Sequence, residues 1–172
     1  MGRQRQFPAP RRIVAVRLAT LALVAVLAAW QIFFSADHRP PAVPQPGATA
    51  FVERAVDGDT LLLADHTRLR LLGADSPETK RPDWPVEPFG PEAHEFTRKH
   101  VEKRNVRLEF DKERRDKYDR VLAYVYVGDW LLNEELIRAG LARAITNHPY
   151  SETMKRRFRA AQSEAQREHR GI

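Results

Sequence analysis

Phe51-Val52-Glu53-Arg54-Ala55-Val56-Asp57-Gly58-Asp59-Thr60-Leu61-Leu62-Leu63-Ala64 is two short apolar-rich runs on either side of Asp57-Gly58. Asp-Gly between such runs is a strong β-hairpin signal, because both residues tolerate the positive φ of the tight turn. The spacing predicts strands over 51–56 and 59–64. A third strand follows over 67–73, where Leu69 and Leu71 alternate with Arg68 and Arg70. With Asp65-His66 as a two-residue turn, Asp59 is expected opposite Leu72, and Arg70 diagonal to Asp59 on the same face. Further on, Val106, Leu108 and Phe110 alternate with Arg107, Glu109 and Asp111, a fourth strand. Residues 121–127 are apolar on both faces, which is the pattern of a central strand.

Three helices complete the pattern. Pro91 suits the first turn of one, with Ala93, Phe96 and Val101 as its apolar side. Asn133 is expected to cap a second, with Glu134 and Glu135 in its first turn and Gly140 at its end. Ser151 is expected to cap a third, whose buried stripe is Met154, Phe158, Ala161 and Ala165. Five short strands with a few helices make an α+β, mainly β domain built on a small closed barrel.

Ahead of this domain the chain changes character. Residues 1–12 are polar and arginine-rich, and 13–34 are apolar except for Arg17, Thr20 and Gln31. About 20 helical residues span a bilayer core, so 13–36 is expected to be a transmembrane anchor. Trp30 sits where an interfacial aromatic belt would be, and the arginines before the run place the N-terminus in the cytoplasm. A cleaved signal peptide, with secretion of the rest, is the alternative, but Phe34-Ser35-Ala36 puts a bulky ring where a small residue belongs. A buried core helix is a third reading. Residues 37–50 hold Pro40, Pro41, Pro44, Pro46 and Gly47 and read as an extended linker. The domain proper is then 51–172, on the extracytoplasmic side.

The formal net charge is +6. Five arginines and no acid fall in 1–36, so 24 basic and 23 acidic residues leave the remainder at +1. The high isoelectric point therefore describes the N-terminus. Phosphate affinity in the domain must come from local clustering, not from a global field. The chain has no cysteine, which excludes a disulfide framework and thiolate metal sites. The histidines show no spacing for a transition metal.

Local clustering does occur. Asp59, Asp75 and Glu78 are oxygen donors of the kind that hard divalent cations take. Arg70 and Arg120 are guanidinium forks that match phosphate oxygens. Acids for a cation next to arginines for a phosphate is a constellation suited to cutting a phosphodiester. Read singly, each acid is a solvated loop residue, and Arg120 is a surface ion-pair partner of Asp116 or Asp119. Trp84 in Pro82-Asp83-Trp84-Pro85 suits either base stacking or loop packing. The basic run Lys155, Arg156, Arg157 and Arg159 reads first as a solvated helix face.

The motifs stand in an order and spacing that resembles the thermonuclease (staphylococcal nuclease) family. They are Ala55-Val56-Asp57-Gly58-Asp59-Thr60, the run Arg70-Leu71-Leu72-Gly73-Ala74-Asp75-Ser76-Pro77-Glu78-Thr79-Lys80, Phe89-Gly90-Pro91-Glu92-Ala93, Asp116-Lys117-Tyr118-Asp119-Arg120, and the stretch from Asn133 to Ala142. The resemblance covers about Phe51 to the C-terminus, and it implies that the barrel is a five-stranded OB-fold. It implies a calcium-dependent nuclease acting on DNA, and on RNA, by direct attack of water, leaving 3′-phosphate ends. Asp59, Asp75 and the backbone carbonyl of Ser76 are then calcium ligands. Glu78 positions the attacking water, Arg70 and Arg120 clamp phosphate, and Lys117 and Tyr118 contact a terminal phosphate. The implied partners are DNA or RNA and, through the N-terminal helix, the membrane. No protein partner is evident, and a monomer is expected.

The rival readings are a non-catalytic single-strand-binding module on the same fold and a membrane-bound protein tether. The chain also departs from the family pattern. Thr146 and His148 stand where base-packing tyrosines are found, with Tyr150 following behind Pro149. Asp119 replaces a glycine beside the phosphate clamp, where its charge is expected to oppose phosphate.

Overall fold

The computed structural model describes residues 24–27, 29, 43–79 and 87–172. The chain forms two compact units, Met1–Pro40 and Pro41–Ile172. In the first, residues 24–27 and 29 are helical. The rest of the expected membrane span lies outside the described residues, as does Trp84. Among the described residues no helix is long and apolar enough to cross a membrane.

Strand β1 (Thr49–Ala55) starts two residues earlier than its side-chain pattern predicts. The reason is backbone pairing: Thr49 to Phe51 pair with β5 (Asn105–Glu109), whatever their side chains. A bulge between Val52 and Arg54 then hands β1 over to β2 (Thr60–Leu63). Bulges bend and twist a strand, so one strand can serve two sides of a barrel. β2 pairs with β3 (Arg68–Leu71), and β5 pairs with β6 (Val121–Val127). A parallel pairing of β3 with β6, Leu69 opposite Val121 and Leu71 opposite Ala123, closes the circuit. All five expected strands thus form one closed, OB-like barrel.

Strand alternation fills the barrel. Leu61, Leu63, Leu69, Leu71, Val106 and Leu108 are each at most 2 % exposed. Burying a side chain of this size contributes about 1.5–3 kcal/mol. Three strands of two residues each are too short to leave a pattern in the sequence: β4 (Ala74–Asp75), β7 (Trp130–Leu131) and β8 (Arg143–Ala144). β4 and β8 pair with each other, Asp75 opposite Arg143. Gly73 precedes β4 with φ 79°, and a Cβ there would lie 2.7 Å from the Phe158 ring. Both the backbone and the packing therefore require glycine.

The register between β2 and β3 differs by one residue from the expected one. Thr60 lies opposite Arg70, and Leu62 opposite Arg68. The turn has three residues, Ala64 to His66, with His66 at φ 66° and the Thr67 N–H donating to Asp65 Oδ1 at 2.9 Å. A left-handed third residue is the usual way to build such a loop, and the added residue shifts the pairing.

The three helices are α1 (Gly90–Val101), α2 (Leu132–Arg138) and α3 (Glu152–Arg167). In α1, Ala93, Thr97 and Val101 are buried, whereas Phe96 is half-buried and lies against His100 at a tilt, with ring centroids 4.5 Å apart. Thr97 goes inside because its hydroxyl donates to the Gly58 carbonyl. Ser151 does occupy the N-cap position of α3, but its side chain makes no capping bond; its N–H donates to Asp111 Oδ2 at 2.8 Å. The buried stripe of α3 is Phe158, Ala161 and Ala165. Of its basic run, Arg157 pairs with Glu134 at 2.5 Å and Lys155 with Glu152 at 2.8 Å.

Asn133 is not a cap. Leu131 holds that position, and Asn133 is fully buried one residue inside α2. Its Oδ1 accepts from the Val125 N–H at 3.0 Å, and its Nδ2 donates to the carbonyls of Leu72 and Ala123 at 2.9 and 3.1 Å. One side chain thus stitches the end of β3 to β6 where the barrel closes. Asn133→Ala leaves the Val125 N–H and the Leu72 carbonyl without the partner Asn133 supplies, each costing about 1–3 kcal/mol, while the Ala123 carbonyl keeps the Leu72 N–H at 2.9 Å. We expect urea unfolding of this variant to show a loss of roughly 3 kcal/mol with an unchanged m-value.

Candidate active site

Barrel closure fixes where the charged residues meet. Leu69 opposite Val121 puts Arg68 and Arg120 one residue upstream on neighbouring parallel strands. The turn between β1 and β2 faces the same region. The two meet in a cleft of about 480 Å³ lined by residues that include Asp57, Asp59, Arg68, Arg70, Asp75, Ser76, Glu78, Tyr118 and Arg120. Seven of the eight residues singled out from the sequence are therefore in one place. Lys117 is not among the lining residues; it is exposed, with Nζ 5.0 Å from the centroid of the Tyr118 ring.

Asp59 is 4 % exposed, so it needs partners on every lone pair. Oδ1 pairs with Arg70 and accepts from the Thr60 hydroxyl at 3.0 Å. Oδ2 accepts from the Ser76 N–H at 2.6 Å and the Ser76 hydroxyl at 2.9 Å. Arg70 reaches Asp59 although the register places it opposite Thr60, because Asp59 lies in the turn and is not bound by strand alternation. The second Arg70 nitrogen pairs with Asp75, which is half exposed. Burial pulls the Arg70 guanidinium below its ordinary value and Arg120 adds to this, while Asp75 opposes it. Arg70 remains a cation at any physiological pH.

Glu78 is exposed and is held from both sides. Its N–H donates to Glu87 Oε2 at 3.2 Å, and its carbonyl accepts from the Glu87 N–H at 3.2 Å. Next to it, the Thr79 hydroxyl donates to Asp57 Oδ1 at 2.8 Å, and the Gly58 N–H to the same oxygen at 2.9 Å. Asp57 is thus a buried tie between the two loops that carry Asp59 and Glu78. Sequence reading assigned Asp57 only to the turn. A Cβ at Gly58 would lie 2.6 Å from the Ser76 hydroxyl and 2.7 Å from Ala93, so the loop sits against both because this residue is glycine.

Arg120 is organised by its own loop. Its Nε donates to Asp116 Oδ2 at 2.7 Å, and its backbone N–H to Asp116 Oδ1 at 3.0 Å. The Tyr118 N–H shares that oxygen at 2.9 Å. Burial alone would raise the Asp116 carboxyl; the bonds from Arg120 and Tyr118 outweigh it and hold the group below its ordinary value. An aspartate accepting backbone N–H groups two and four residues on is a turn signal that the sequence did offer. Tyr118 stands on the rim, 68 % exposed, with the Arg120 guanidinium 5.4 Å from its ring centroid.

Of the departures, only Asp119 differs from expectation. Asp119 adopts φ 62°, the conformation glycine takes without strain. Its carboxylate accepts from Arg115 at 3.0 Å, so its charge is neutralised away from the cleft. Tyr150 does not reach back to the site. It is buried against Tyr124 and Phe158, donates to the Ile145 carbonyl at 2.6 Å, and its hydroxyl is pushed up to about 12 by burial. Neither Thr146 nor His148 is among the lining residues.

The donor set suits a hard cation. Asp59 and Asp75 converge on one positive group, the Arg70 guanidinium, and all their donors are oxygen. Among the described residues no three His, Cys, Asp or Glu side chains form a ready-made metal cage. An ion here would therefore draw on carbonyl and water oxygens to complete its six to eight ligands, as calcium sites commonly do. On that basis the residues fit.

A closed barrel with acids and arginines in one cleft is an arrangement chemically suited to a phosphate ester and a cation. Comparison with known proteins makes this specific. Residues 68–172 match the family model described as Staphylococcal nuclease homologue. The chain is 43% identical over 129 residues to a thermonuclease of Staphylococcus intermedius, covering 73% of this chain and 76% of that one. It is 42% identical over 127 residues to a thermonuclease of Staphylococcus hyicus, covering 70% and 73%. It is also 40% identical over 121 residues to the SPbeta prophage-derived endonuclease YokF of Bacillus subtilis, covering 66% of this chain and 41% of that one. The chain belongs to the staphylococcal nuclease family.

Proposed function

We propose that this protein is a nuclease that hydrolyses phosphodiesters of DNA, and of RNA, with calcium, by direct attack of water and with 3′-phosphate products. The observation that carries the reading is the convergence of Asp59, Asp75 and Glu78 with Arg70 and Arg120 on one cleft. Family membership and the names of the relatives, two thermonucleases and an endonuclease, support a hydrolase that cuts within chains.

The roles proposed are those the family resemblance implies, and the contacts support them. Asp59, Asp75 and the Ser76 carbonyl are the proposed calcium ligands. Bound calcium would polarise a phosphoryl oxygen and acidify a ligating water. Arg120 is oriented by Asp116 and presents its guanidinium to a phosphate oxygen. Arg70, already at the cleft floor, offers the second fork. Both place positive charge where the five-coordinate transition state gains negative charge. Glu78 is exposed at the cleft and takes the role of holding the attacking water. No cysteine exists in the chain, and among the described residues no serine–histidine pair lines the cleft, which favours water as the nucleophile.

The test uses full-length protein in mild detergent with single-stranded DNA. Calcium should support cleavage and a chelator should abolish it. Arg70→Ala and Arg120→Ala should each lower kcat by about 100- to 1000-fold. Full activity in chelator, or normal cutting by Glu78→Ala, would contradict the assignment.

We also propose that 13–36 anchors the chain in a membrane with the nuclease domain outside the cytoplasm. The arginines before the apolar run motivate this orientation. The full-length chain should stay with membranes after carbonate extraction, and added protease should reach the domain from the extracytoplasmic face. A soluble product lacking residues 1–36 would favour signal cleavage instead.

A further inference from the structure

The cleft holds three arginines, and two have partners. Arg70 is neutralised by Asp59 and Asp75, and Arg120 by Asp116. Arg68 is exposed and lines the same cleft, and its side chain makes no hydrogen bond or ion pair among the described residues. Its placement is fixed by β3. It lies two residues from Arg70, so the two side chains leave the strand on the same side, about 6.6 Å apart along it. The parallel pairing of β3 with β6 sets it beside Arg120 as well. A cation with no counter-charge next to two others raises the local potential, and a bound polyanion relieves this.

We propose that Arg68 binds a phosphate of the polynucleotide adjacent to the scissile one. This rests on the nuclease reading and extends it. Arg70 and Arg120 act on the phosphate that reacts, whereas Arg68 holds the strand. Its contribution is equal in the ground and transition states, so it acts on KM and not on kcat. It also distinguishes substrates: a polymer engages Arg68, and a dinucleotide with a single phosphodiester does not.

The experiment compares full-length wild type, Arg68→Ala and Arg68→Lys. Binding of a fluorescein-labelled single-stranded 12-mer is followed by anisotropy over a range of salt, with chelator present to prevent cutting. Loss of one phosphate contact should make the slope of log K against log salt shallower by about 0.7 in Arg68→Ala. Arg68→Lys, which keeps the charge, should retain the wild-type slope. In calcium, Arg68→Ala should raise KM roughly 5-fold on the 12-mer at low salt, with kcat unchanged, and leave the dinucleotide unaffected. Equal slopes for wild type and Arg68→Ala, or an equal loss on the dinucleotide, would overturn the proposal. A wild type that binds the 12-mer but never cuts it would sink the hydrolase reading separately, since the anisotropy slopes still report on Arg68.

Discussion

Arg70 held between Asp59 and Asp75 is the interaction on which the site depends. Two carboxylates drawn to one guanidinium repel each other unless it stays between them. Asp59 is also almost fully buried, so it needs a counter-charge to stay ionised. Arg70 meets both needs, and two bonds from Ser76 complete the shell of Asp59. The same arrangement makes the pocket between the acids a place for positive charge. On the proposed reading, a bound cation would take over the carboxylates and leave the guanidinium for a phosphate.

That bridge exists because the barrel closes where it does. Arg70 is on β3, Asp59 is in the turn before β2, and Arg120 immediately precedes β6. Only the parallel β3–β6 pairing brings the third of these to the other two. Asn133 secures the closure from inside α2, with bonds to both sides of the seam. Asp57 performs the matching task for the loops, tying Gly58 to Thr79. A buried asparagine and a buried aspartate thus hold the frame, and their neighbours Arg70, Asp75, Glu78 and Arg120 face the cleft.

Much of this was legible in the sequence. Leucine–arginine alternation at 68–71 gave β3 and its inward face, and the spacing of the acids and arginines gave the cleft. What failed were features that local pattern does not encode. His66 in a left-handed conformation lengthens a turn and shifts a register, and nothing in Asp65-His66 requires it. Asn133 occupies a position that reads as a cap, and only the packing of α2 against the seam turns it inward. Tyr150 was open to either a substrate or a core role, and contacts with Phe158 decide for the core. Asp119 looked like a charge opposing phosphate until Arg115, four residues earlier, was found to take it. Arg68 reads from the sequence only as strand pattern, because its side chain's lack of a partner is a property of the assembled cleft.

The account's central claim is that Asp59 and Asp75, gathered around Arg70, form a cation site. Calorimetric titration of full-length protein with calcium, in the absence of nucleic acid, tests it most directly. Wild type should bind one calcium in the cleft, and Asp59→Asn or Asp75→Asn should each weaken that binding by at least about tenfold, since each removes a charged oxygen ligand. Identical titrations for wild type and both variants would contradict the claim and place any calcium elsewhere on the molecule.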